Sequence, residues 1–263
     1  MFLEVYRGCA ASTSGAFFPL EATANPASLP WSYLRPSDLG ERHSRKVGKS
    51  YPRPVGAVSI DNFLRSEGFE DERARLAARI VLEQGGLTNP RKQAMDEAKL
   101  GRARNLLESY VIRVCSADCR SLAPRGREPL LVATPERCQV CEGSNNRRAA
   151  LLLARAMRKA GASKLLVVGG TGTLHRELQA LLAPAAIEAR CIDGAARTPS
   201  QKEAWADQRW ADLVVIWAST PLPHKVSELY TREPIGRPPL TVARRGIAAL
   251  CTELRTSLER HGL

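Results

Sequence analysis

The C-terminal half of the sequence predicts an α/β fold with four parallel strands, and three observations carry that prediction. Apolar runs recur at residues 164–168, 187–192, 212–219 and 240–243. Helical stretches lie between them, at 146–160, after the glycine turn that follows Val168, near 200–207, at 224–231 and from 246 to about 261. The runs Leu-Leu-Val-Val and Leu-Val-Val-Ile-Trp are apolar without alternation, as strands covered on both faces must be. Residues 146–263 therefore read as a small four-stranded, Rossmann-like domain.

The chain has 263 residues, enough for one or two domains with a real core and no need of disulfide staples. No window approaches the roughly 20 apolar residues of a membrane span. The N-terminus has no basic flank followed by an apolar core, so no secretory signal is expected and the reading is cytoplasmic, with no membrane partner. The net charge is +12, and its location is informative. Residues 111–160 hold 10 basic and 4 acidic side chains, half of the whole excess. A basic patch of that kind attracts phosphate backbones or other polyanions, although solubility alone can also account for surface charge.

Residues 1–60 hold no sustained periodicity, and their prolines are interleaved with Ser, Gly, Arg and Lys, so a flexible arm is expected there. Gly48-Lys49-Ser50 resembles the end of a phosphate-binding loop, but His43 stands where its first glycine belongs and the motif fails. Residues 61–110 read as a helical hairpin. Leu76, Ala77, Ile80 and Val81 make an apolar stripe that ends at Gly85 and Gly86. Asn89 is a good N-cap and Pro90 suits a first helical position. Ala94, Met95, Ala98, Leu106 and Leu107 are expected to supply the buried face of that second helix. With Arg91, Lys92, Lys99, Arg102 and Arg104 the pair resembles a helix-turn-helix in outline, a form that any helical hairpin shares.

Four of the seven cysteines are grouped: Cys115-Ser-Ala-Asp-Cys119, eighteen residues, then Cys138-Gln-Val-Cys141. Two short-spaced pairs separated by such a loop suit a structural zinc ribbon over residues 111–145, with each pair supplying two thiolates from one tight turn. The intervening residues, Pro124, Arg125, Gly126 and Pro135 among them, are expected to build no core of their own, so the metal would supply folding energy. Two disulfides, or a redox C-x-x-C in a thioredoxin-like unit, are the competing readings. With all four positions filled by thiolate, the Zn2+ would be structural rather than catalytic. Arg120, Arg125, Arg127, Arg137, Arg147 and Arg148 fit a phosphate-contacting rim around it. The fold class expected is thus α/β: a small four-stranded parallel Rossmann-like sheet at the C-terminus, preceded by a helical segment and a four-cysteine zinc ribbon.

In the C-terminal domain, Gly170-x-Gly172-x-x-His175 approaches a dinucleotide fingerprint, with His175 in the third glycine place, after Gly169. Asp193 ends the second strand, where an acidic ribose ligand is expected, and a tight βα turn explains the same residues. His175, Asp193, Ser219, Thr220 and His224 all fall at or near the carboxyl ends of strands, where parallel sheets bind ligands. No G-x-S-x-G elbow marks Ser219 as a nucleophile, and no catalytic residue is assigned. Val-Val-Gly-Gly with a histidine in the next helix, Ala-Asp-Leu-Val-Val-Ile-Trp-Ala-Ser-Thr, His224-Lys225 and Arg244-Arg245-Gly246 together resemble a family of small bacterial Rossmann-like domains of unknown function. That resemblance covers residues 163–255 and implies the fold but no reaction. In that family a histidine follows a serine after the third strand, where this chain has Pro223 before His224.

Three functions follow from these features. The leading one is a zinc-binding, nucleic-acid-associated accessory or regulatory protein, DNA or RNA undecided, whose ribbon and basic residues contact phosphate and whose Rossmann-like domain binds a partner or anionic ligand. The second is a nucleotide-binding sensor or enzyme using the glycine turn 169–172. The third is a zinc-stabilised adaptor between protein surfaces.

Overall fold

A computed structural model describes residues 56–218 and 221–261. Most of the expected arm lies outside the described residues. Its last five residues do not behave as an arm: Ala57–Ser59 form strand β1, and Ile60, fully buried, opens helix α1, Ile60–Ser66. The Ser59 hydroxyl caps α1, and Phe63 and Leu64 are buried from it.

Helix α2, Glu72–Gln84, starts where Asp71 accepts a hydrogen bond from the Ala74 N–H at 3.0 Å and stops at Gly85 and Gly86, the latter at φ +69°. Its buried residues are Ala74, Ala78, Val81 and Leu82, so the inward stripe is rotated from the expected one: Leu76, Ala77 and Ile80 are only half-buried. The second helix does not begin at Pro90. The Asn89 carboxamide oxygen accepts from the N–H groups of Arg91 and Lys92, both at 3.1 Å, and closes a turn rather than capping a helix. The Arg79 guanidinium braces that turn through the Lys92 carbonyl at 2.6 Å.

Strand β2, Ala94–Asp96, follows and pairs antiparallel with β1, placing Val58 opposite Met95. Met95 is buried, whereas Ala94 is half-buried and Ala98 exposed. Helix α3, Leu100–Tyr110, begins only after a 3-10 turn, Glu97–Lys99, and buries Ala103 and Leu107. Pairing with a strand some 35 residues upstream overrides the local cap signal, and residues 85–99 between α2 and α3 are far longer than a helix-turn-helix turn.

Residues 111–131 correct the ribbon expectation. Strands β3, Val111–Val114, and β4, Glu128–Leu131, run parallel, with helix α4, Ala117–Leu122, in the connection. A crossover through a helix brings the chain back in the same direction, so there is no hairpin here. The stretch between the cysteine pairs, expected to build no core, buries Leu130 and Val132.

The C-terminal architecture matches its expectation. Helix α5 spans Asn145–Lys159, β5 Lys164–Val168, α6 Gly172–Leu182, β6 Glu188–Ile192 and α7 Gln201–Trp210. Strand β7 spans Leu213–Trp217, α8 His224–Thr231, β8 Leu240–Val242 and α9 Ile247–His261. The four strands form one parallel sheet in the order β6-β5-β7-β8. Its two faces carry separate cores. Leu165, Val167, Val215 and Trp217 pack with α5, α6 and α9, whereas Leu166, Val168, Val214 and Ile216 pack with α7 and α8. Both faces are therefore covered, which is why β5 and β7 are apolar throughout. The chain reverses direction across the sheet between β5 and β7, so the strand-end region of these two strands is the topological switch point.

Candidate metal centre

Cys115 follows the last residue of β3 and Cys119 lies in the first turn of α4, which the Ser116 hydroxyl caps by accepting from the Cys119 N–H at 3.2 Å. Cys138 and Cys141 come from the turn that leads into α5. There the Glu142 N–H donates to the Cys138 carbonyl at 2.9 Å, and Glu142 and Gly143 take φ +51° and +79°. Two consecutive left-handed residues re-aim the chain just after Cys141, a geometry that suits Gly143 and strains Glu142. The first pair of thiols thus comes from a strand end and a helix start rather than from one tight turn.

The four sulfurs lie within 4.8 Å of one another, with Cys115 Sγ 3.7 Å from Cys119 Sγ and 3.6 Å from Cys141 Sγ. These separations are much longer than a disulfide bond of about 2.05 Å. They fit a tetrahedron: with Zn–S bonds of about 2.3 Å, four thiolates stand about 3.8 Å apart. All four cysteines are free, three are buried and Cys115 is half-buried. The group is therefore able to hold one metal ion through four sulfurs, with no ligand position left over for a substrate.

Electrostatics within the group are uneven. Burial opposes ionisation of Cys138, but hydrogen bonds from the backbone N–H groups of Cys141, Val140 and Cys115 bring its thiol down to about 7. Burial pushes the thiols of Cys119 and Cys141 up. A cation at the centre would reverse that logic and deprotonate them. Around the sulfurs, Ile112, Val114 and Val140 are buried, with Leu122, Leu131 and Leu151 packed against them. Sequence reasoning missed Gln139. Its side-chain oxygen accepts from the Arg113 N–H at 2.8 Å and its own N–H donates to the Arg113 carbonyl at 2.9 Å, so it pairs with the edge of β3 and seats the second cysteine pair. Nothing short of the folded edge marks it.

The arginines expected to rim the centre have divided roles. Arg137 donates to the Ser66 carbonyl and packs over Gly68. Arg147 pairs with Glu142 at 2.6 Å, Arg148 donates to Asn145 at 2.7 Å, and Arg127 donates to the Glu108 carbonyl at 3.2 Å. Arg120 and Arg125 are exposed and make no side-chain hydrogen bond or ion pair among the described residues.

At the sheet switch point, close packing accounts for two of the three glycines. Gly169 and Gly170 are buried at φ +101° and +89°, and a Cβ on them would stand 2.4 Å from the Trp217 carbonyl oxygen and 2.7 Å from the Trp217 ring. His175 is buried; its Nε2 lies 2.8 Å from the Gly169 carbonyl, to which it donates. It folds into the turn and holds it. Gly172 is exposed, at the first position of α6, with open space where a Cβ would go. Asp193 accepts from the N–H groups of Ala195 and Ala196 at 3.1 and 3.2 Å and so shapes the turn after β6. His224 is exposed at the start of α8. Ser219 and Thr220 lie outside the described residues.

No protein-family model, curated protein or solved structure matches this chain. No helix among the described residues is long and apolar enough to cross a membrane.

Proposed function

We propose that this chain is a zinc-binding protein in which a structural Zn2+ held by Cys115, Cys119, Cys138 and Cys141 fastens the β3-α4-β4 unit to the head of α5, and that the resulting surface associates with nucleic acid. The observation that carries the metal reading is the set of four sulfurs within 4.8 Å of one another, two of their separations at 3.6 and 3.7 Å. A centre without an open coordination position stabilises structure and does no hydrolytic chemistry. Nucleic-acid association is supported by the concentration of positive charge in residues 111–160 and by the exposed Arg120 and Arg125 on the same unit as the first cysteine pair.

Two measurements test this separately. Metal analysis of purified protein is expected to return one zinc per chain, lost in Cys138→Ser; a wild-type chain that carries no metal after growth in zinc refutes the first part. Fluorescence anisotropy with duplex and single-stranded oligonucleotides at 50 and 200 mM salt tests the second. Binding that weakens steeply with salt, and weakens further in Arg120→Gln/Arg125→Gln, supports it. Absence of binding at 50 mM salt refutes it while leaving the metal centre standing.

A further inference from the structure

The four cysteines of the metal centre are not equally sheltered. Cys119, Cys138 and Cys141 are buried, whereas Cys115 is half-buried. The chain beyond it runs outward: Ser116 is also half-buried, and Ala117 and Asp118 are exposed. On the inner side, Cys115 Sγ lies 3.6 Å from Cys141 Sγ and 3.7 Å from Cys119 Sγ. Cys115 is therefore the residue that joins the surface to the buried sulfurs.

Reversible oxidation of a cysteine needs a second thiol beside it. An oxidant first converts one thiolate to a sulfenic acid, and a neighbouring thiolate then condenses with it to a disulfide; without that neighbour the sulfur goes on to irreversible acids. Closing a disulfide between Cys115 and Cys141 brings two sulfurs from 3.6 Å to about 2.05 Å. Cys141 lies in a turn, whereas Cys119 is fixed in the first turn of α4, where its N–H donates to the Ser116 hydroxyl. Cys141 is thus the neighbour with more freedom to close the distance.

We infer that Cys115 is an oxidation site through which hydrogen peroxide opens the metal centre, with Cys141 as the thiol that closes the disulfide. This rests on the metal reading above. Peroxide takes two electrons from the Cys115 sulfur as its O–O bond breaks, leaving a sulfenic acid and hydroxide. The Cys141 thiolate then attacks that sulfur, the S–S bond forms, the S–O bond breaks and a second hydroxide leaves. Two thiolates and one peroxide become one disulfide and, with two protons from solvent, two waters. Only Cys119 and Cys138 then remain as thiolates, half of the set that a closed structural site needs, so the metal is released. The β3-α4-β4 unit thereby loses its fastening to the head of α5. Peroxide is little larger than water and needs a smaller opening than an alkylating reagent does.

The test treats full-length, zinc-loaded protein with excess hydrogen peroxide, follows free zinc with a chromogenic chelator, and maps disulfides by mass spectrometry. The expected result is release of the bound zinc, loss of two free thiols per chain and a Cys115–Cys141 disulfide, all reversed by dithiothreitol and zinc. A Cys115–Cys119 disulfide supports Cys115 as the oxidation site and changes only its partner. An acid-denatured sample gives the zinc present at the start. A chain that starts with none overturns the metal reading and the proposal with it, whereas a chain that holds zinc and keeps it under peroxide overturns the proposal alone. Release that leaves Cys115 a free thiol also overturns it. In Cys9→Ser/Cys191→Ser, which removes two cysteines outside the group, release is expected to be unchanged; release that is lost in this variant places the oxidation elsewhere and overturns the proposal.

Discussion

Replacing Gly169 with alanine separates a packed turn from a ligand-binding one. At φ +101° an L-residue is strained, at a cost of about 1–2 kcal/mol. The new Cβ would also stand 2.4 Å from the Trp217 carbonyl oxygen, about 0.9 Å inside an ordinary C···O contact of about 3.3 Å. That oxygen belongs to the backbone at the end of β7, whose next residue, Ala218, is held to β8 by its N–H donating to the Val242 carbonyl at 2.9 Å, so it has little room to retreat. Overpacking of this kind adds about 1–3 kcal/mol. The sum, about 2–5 kcal/mol, is a large share of the about 5–15 kcal/mol that holds a typical domain. At about 2–4 °C per kcal/mol it lowers the melting temperature by about 4–20 °C. Gly172→Ala is the control: the position is helical and open, so alanine is expected to be neutral or to stabilise by less than about 1 kcal/mol. Paired urea and thermal unfolding of the two variants reads the difference. A Gly169→Ala protein that unfolds with the wild type, or a Gly172→Ala protein that falls as far, refutes the packing account and returns the glycines to a binding role.

Other expectations bear on the centre and its surroundings. His175→Leu leaves the buried Gly169 carbonyl without its imidazole donor and is expected to cost about 1–3 kcal/mol, read by urea denaturation; an unchanged midpoint would show that the ring does not hold the turn. Thiol alkylation mapped by mass spectrometry at pH 7.5 is expected to spare the four grouped cysteines while metal is bound. After chelation Cys138, brought down to about 7, should react ahead of Cys191 and Cys251, which burial pushes up to about 12. Labelling of Cys251 ahead of Cys138 would contradict that order. The Asp61 carboxyl is held below its ordinary value, chiefly by its hydrogen bond from Arg65 and with help from Arg75. A depressed folded-state value stabilises above the unfolded one, near 4, and that gain is lost as pH falls through the folded value. Because Asp61 is half exposed, Asp61→Asn should cost less than about 1 kcal/mol at pH 7 and progressively less as pH falls below about 4; a larger effect at acid pH would reverse the sign argued here.

What the sequence determined by itself is what short-range physics encodes. The apolar runs of 164–168 and 212–219 and the helical stretches between the strands are set by neighbours within one or two turns, so the βαβ order of the C-terminal domain was legible. So was the cysteine group, because thiols at i, i+4 and i, i+3 can converge on one ion whatever joins the two pairs. Tertiary structure decided everything that depends on a partner distant in the chain. The Asn89-Pro90 cap signal yielded to the pairing of β2 with β1, and β3 and β4 lie parallel because α4 carries the chain between them. Most of the arginines expected to face a phosphate backbone turn instead to acceptors within the fold, Arg137 to the Ser66 carbonyl among them. The imidazole of His175 turns into the glycine turn rather than toward a ligand. A side chain's charge and reach are written locally, but the acceptor that claims it is positioned by contacts many residues apart, and only the folded chain brings the two together.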